Sequence, residues 1–127
     1  MATWFLKFSS YKKPNDIFDF LRSGKKTIET RPYNPNKQNN YSKVALGDLI
    51  IFESTDTGEK IEKVVTFVHL YDSIEKMVLN EPVNEILPGV GSPEKLIKVY
   101  DELKDRWGKD YRDELEKYGI VAIGIKQ

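Results

Sequence analysis

The 127 residues carry 20 basic and 20 acidic side chains, one histidine and no cysteine, a size that suits one domain whose core needs no cross-link. Zero net charge argues against a general polyanion binder, and the lack of cysteine excludes disulfides, thiolate nucleophiles and cysteine-based zinc sites. The charge is unevenly placed, however: residues 1–45 hold nine Lys/Arg against three Asp/Glu, and the remainder holds eleven against seventeen.

Thr3 to Ser9 alternates and is rich in aromatics, which predicts a strand with Trp4, Leu6 and Phe8 on one face. Ser10 to Pro14 reads as a turn, and Asn15 or Asp16 is placed to cap a helix. Ile17, Phe20 and Leu21, with Phe18 beside them, form that helix's apolar stripe. Gly24 suits the position just past its end, where φ is usually positive. Lys26 to Arg31 alternates as a second strand. Pro32 to Lys43 has no periodicity and reads as a long loop, of a length that often carries function.

Gly47-Asp48 marks a turn before a strand from Leu49 to Glu53. Asp56-Thr57-Gly58 forms a hairpin tip, and Ile61 to Tyr71 returns as a long strand. Ser73 caps a short helix ending near Asn80, and Pro82 to Gly91 reads as a loop. Ser92-Pro93-Glu94 is a strong helix start, continued by Leu96, Val99, Tyr100, Leu103 and Trp107 at helical spacing. A second helical piece, Tyr111 to Tyr118, stops at Gly119, and Ile120 to Ile125 is a strand buried on both faces. Trp4 and Trp107 are expected in the core. No basic and apolar leader opens the chain, and runs such as Leu49 to Phe52 are too short to cross a bilayer. One cytoplasmic domain over residues 1–127, without a membrane partner, is the expectation.

Chemistry concentrates at residues 24–31. Glu29 and Arg31 share one side of a regular strand, and Lys26 sits at the helix-to-strand junction. An ion pair serving only the strand is the competing reading. Gly24, Lys26, Glu29 and Arg31 match the G-x-K-x-x-E-x-R signature of the ASCH family, at the position after an N-terminal strand and amphipathic helix. The chain therefore resembles that family, a small RNA-associated branch of the PUA-like barrels. Gly47-Asp48 with its apolar strand and the closing strand also look like it, so the likeness covers nearly the whole chain.

The resemblance implies an α+β fold, a PUA-like small, mostly antiparallel β-barrel with inserted helices. It implies a cleft for RNA or a nucleoside or nucleotide, with no cofactor and no metal. Gly24, Lys26, Thr27, Glu29, Arg31 and Tyr33 would be its ligand-binding residues. One branch of small bacterial members is similar in role to an amidohydrolase that deacylates N4-acylated cytidine with the signature Lys, a Thr and a downstream Glu. Here Glu29 stands where that branch has Thr, and Glu81 is the downstream acid, so Lys26, Glu29 and Glu81 would form a metal-independent catalytic set. Three readings stay open: a nucleotide- or RNA-recognising domain, which is preferred, the amidohydrolase, and a protein-binding adaptor.

The chemistry suits the first two. A pocket Lys holds a phosphate or polarises a carbonyl, Glu serves as base, and Arg offers a planar fork. Tyr33 and Tyr41, interleaved with Lys37 and Lys43, are of the type that stacks on single-stranded bases. His69, the one histidine, alternates with Val65, Phe67 and Tyr71, and a lone strand histidine is more often packed than catalytic. A site built on Lys26 and Glu29 further predicts that Lys26→Met and Glu29→Gln leave the melting temperature almost unchanged or raise it, since functional sites hold unfavourable charge.

Overall fold

The computed structural model describes residues 1–8, 17–36 and 43–126. The expected turn at 10–14, the cap at Asn15 or Asp16, and Lys37 and Tyr41 lie outside the described residues. The elements run β1 (Thr3–Phe8), α1 (Ile17–Ser23), β2 (Ile28–Pro32), β3 (Leu49–Ser54), β4 (Lys60–Tyr71), α2 (Ile74–Asn80), α3 (Val83–Ile86), α4 (Pro93–Trp107), α5 (Lys109–Tyr118) and β5 (Ile120–Lys126).

The caps follow the residue chemistry. Ser73 and Ser92 each accept a hydrogen bond from the backbone N–H three residues on, and Pro93 occupies the first turn of α4, where its missing N–H costs nothing. The one-turn α3 falls where a loop was expected, since four residues are too few to show a period. Trp107 is a correction: it is 60% exposed, because it ends α4 beside Gly108, where the chain turns, and its ring lies 5.8 Å from that of Tyr111.

The strands form one sheet in the order β1-β3-β4-β5-β2. The chain is thus a mixed α+β domain with a curled five-stranded half-barrel and several helices. Pairing is antiparallel except between β1 and β3, which run parallel. Apolar clusters cover both faces. Phe18 and Leu21 of α1 pack with Ile50, Phe52, Val121 and Ile123 on one face. Residues of α2 to α5 pack with Ile28, Ile120 and Ala122 on the other. β5 supplies alternate residues to each cluster, which is why it reads as a continuous apolar run. Among the described residues no helix is long and apolar enough to cross a membrane.

The N-terminal strand is anchored by Asp48, whose carboxylate accepts from Ala2 N at 2.9 Å, Ala45 N at 2.9 Å and Trp4 Nε1 at 3.0 Å. The two backbone donors, then the indole, hold its pKa below the ordinary carboxylate value. A lowered carboxylate stabilises the fold above the unfolded-state value, near about 3.9, and that contribution is lost as pH falls through the native value. Asp48→Asn is therefore expected to melt below the parent protein at pH 7. The gap should narrow as melts are taken at increasingly acid pH, and a pH-independent gap would contradict this account.

Candidate functional site

β2 lies at one end of the sheet, and its edge explains the signature. Thr27 O accepts from Ile125 N, and Tyr33 N donates to Gly119 O, so odd-numbered residues turn their backbone groups toward β5. Ile28, Thr30 and Pro32 turn theirs to the open side. An unpaired strand edge is a liability that folds cover or cap. Here Lys26 Nζ donates to Ile28 O at 2.6 Å, and Thr30 N donates to Glu29 Oε1 at 2.9 Å. Pro32, lacking an N–H, sits where none is needed.

Lys26 also fastens β2 to α3, because Nζ donates to Ile86 O at 2.6 Å. Beside it, Thr27 N donates to Glu85 O, and Thr27 Oγ1 to Glu85 Oε1 at 2.8 Å. Gly24, at φ 79°, lets the chain leave α1 so that Lys26 N reaches Phe20 O. Lys26 is 4% exposed and Glu29 5%. Glu29 lies between two cations, with Oε1 3.7 Å from Lys26 Nζ and Oε2 3.5 Å from an Arg31 nitrogen. Burial lowers the Lys26 pKa, Glu29 opposes that shift, and Arg31 adds to it. Nζ thus donates to two backbone carbonyls and has the Glu29 carboxylate as its ion-pair partner.

The Arg31 side chain is one-fifth exposed. Tyr33 follows on the same alternation and meets Tyr118 edge-on at 6.5 Å. On the opposite face, Thr30 Oγ1 and Tyr100 Oη share a hydrogen bond of 2.5 Å. Lys26, Glu29 and Arg31 thus form one network, with Thr27 and Gly24 as its neighbours in the chain.

Glu81 has other partners. Its Oε2 lies 2.6 Å from His69 Nδ1 and 2.5 Å from Tyr71 Oη. The register accounts for this: Glu29 stands in the row of Ile123 and Val68, whereas His69 stands in the adjacent row of Ala122 and Thr30. A bulge between Val65 and Phe67 puts Phe67, His69 and Tyr71 on the face opposite Val65. Strict alternation had placed Val65 with them, and no residue in β4 signals the extra residue. A shallow concavity of about 250 Å³ lies between Asn34 and α5, lined with Asp110, Asp113, Glu114, Lys117 and Tyr118. None of the signature residues lines it. Among the described residues no cluster of three or more His, Asp or Glu is arranged for a metal.

Residues 15–127 match the ASCH domain. The crystal structure of the hypothetical protein PH0355 superposes with a TM-score of 0.73 at 30% identity, covering 98% of each chain. The solution NMR structure of protein PF0455 from Pyrococcus furiosus superposes at 0.66 and 28% identity, over 98% of this chain and 96% of that one. No curated protein matches the chain. With its signature network on β2 and a match over most of its length, the chain belongs to the ASCH domain family.

Proposed function

We propose that this ASCH domain, of PUA-like type, recognises RNA or a modified nucleoside, with Arg31 as the ligand-facing end of the Lys26–Glu29–Arg31 network. The observation that carries the reading is the gradation of exposure along that network. Lys26 and Glu29 are buried, and the Arg31 side chain, with one guanidinium nitrogen 3.5 Å from Glu29, is one-fifth exposed. A guanidinium steadied by a buried carboxylate presents its fork with little orientational freedom left to lose, which suits a phosphate or a base edge. Tyr33, two residues on, offers a ring for stacking. Gly24 and Thr27 take part through the backbone they hold at the start of β2.

Neutral net charge leaves few cations to neutralise phosphates, so affinity for a labelled single-stranded RNA should be modest and fall with salt. Arg31→Gln should weaken it by about tenfold, the value of one charge-assisted contact. Affinity that ignores both salt and Arg31 would count against the reading.

The lowered Lys26 pKa favours the metal-independent amidohydrolase as a second reading, since a neutral amine is a base. Against it, Nζ is already bonded to two carbonyls beside Glu29, and Glu81 is engaged by His69 and Tyr71. Incubation with N4-acetylcytidine, followed by chromatography for released cytidine, separates the two.

A further inference from the structure

We infer that His69, oriented by Glu81, is a proton-accepting site that activates a water or ligand hydroxyl at its Nε2. The inference is independent of the nucleic-acid reading and uses residues outside the signature network.

Three contacts fix the imidazole. Phe67 stacks on it with ring centres 4.4 Å apart and 27° between planes, and Tyr71 meets it edge-on at 6.4 Å. The third contact is the 2.6 Å bond from Nδ1 to Glu81 Oε2. That same oxygen accepts the Tyr71 hydroxyl. Burial and the bond to Glu81 push the Tyr71 pKa up to about 12, so the phenol keeps its proton and donates it. A carboxylate already accepting one proton at Oε2 pairs with Nδ1 as N–H, which leaves the lone pair on Nε2.

The exposure is graded. The Glu81 side chain is 5% exposed and the His69 side chain 51%, so the carboxylate is hidden and the ring is open. Among the described residues Nε2 has no hydrogen-bond partner. This is a base held in one tautomer by a buried anion, the arrangement that general-base catalysis uses. In the step, Nε2 takes the proton of a bound water or hydroxyl while that oxygen adds to an electrophilic carbon. The imidazolium is stabilised by the Glu81 carboxylate; the bond from that carbon to the leaving group then breaks, and the departing atom takes the imidazolium's proton. His69 touches the reacting atoms, and Glu81 is a positioning residue.

The single histidine makes the test direct, because the imidazole nitrogen signals of the 15N-labelled chain need no assignment. They should report an Nδ1–H tautomer in the parent protein and a mixture in Glu81→Gln. Hydrolysis of p-nitrophenyl acetate should run about tenfold faster than on His69→Gln, with Glu81→Gln between them. An Nε2–H tautomer in the parent protein overturns the inference whether or not the variants fold. So does p-nitrophenolate release unchanged in His69→Gln.

Discussion

Lys26→Met is expected to destabilise the domain by about 3–5 kcal/mol, the range for breaking a buried ion pair from one side. At roughly 3–5 °C per kcal/mol for a chain of this size, the melting temperature should fall by some ten degrees or more. Met nearly matches Lys in volume, so the loss comes from three acceptors rather than from a cavity. Ile28 O and Ile86 O lose the donor they share, and Glu29 keeps only Arg31 and the Thr30 amide. The open side of β2 loses its cap, and α3 loses a tie to the strand. Glu29→Gln should cost less, about 1–3 kcal/mol, since the amide oxygen still accepts from Thr30 N and Lys26 keeps both carbonyls. Lys25→Met, at an exposed position, should stay within about 0.5 kcal/mol. Urea or thermal unfolding of the three variants measures the order. A Lys26→Met protein that melts with its parent would show that the ammonium does not hold the edge. The expectation of near-neutral or stabilising substitutions rested on functional sites holding unfavourable charge, and the burial and bonding of Lys26 argue for the opposite sign.

That reversal marks what the residue pattern carries and what it does not. The alternation of β4 up to Val65, the serine caps of α2 and α4, and the apolar run of β5 each depend on neighbours close in sequence, and these appear at the expected places. Of the four signature residues, Lys26, Glu29 and Arg31 do meet at the helix-to-strand junction. Their burial was not legible, because it depends on α3, sixty residues away, closing over β2. The same holds for Glu81. Nothing local ties it to His69, twelve positions earlier, until the bulge in β4 sets which face the histidine takes. The parallel β1–β3 pair is also a long-range choice, invisible to a reading that joins consecutive strands by hairpins.

Gly119→Ala should be more damaging than any other single methyl addition at a helix end in this protein. Gly119 ends α5 at φ 90° and ψ −153°, a region open essentially to glycine alone. Gly108, between α4 and α5, adopts nearly the same geometry at φ 85° and ψ −166°. The two positions therefore carry a similar backbone penalty, of order 1–3 kcal/mol for a residue with a Cβ. They differ in what surrounds them. A Cβ at Gly108 meets nothing within 4 Å, whereas one at Gly119 runs into Tyr71 O and comes within 3.1 Å of Asp72 Cα. Those are backbone atoms at the end of β4, where Tyr71 pairs with Ile120, so relief requires the β4–β5 ladder to shift. That ladder also carries the row from which His69 projects. Gly108→Ala is expected to lose about 1–3 kcal/mol, and Gly119→Ala at least about 2 kcal/mol more, enough to prevent folding in a domain of ordinary stability. Melting both variants beside the parent isolates the clash from the dihedral strain. Equal losses at the two positions would mean that strand β4 yields freely at Tyr71, and that the close approach there carries no constraint.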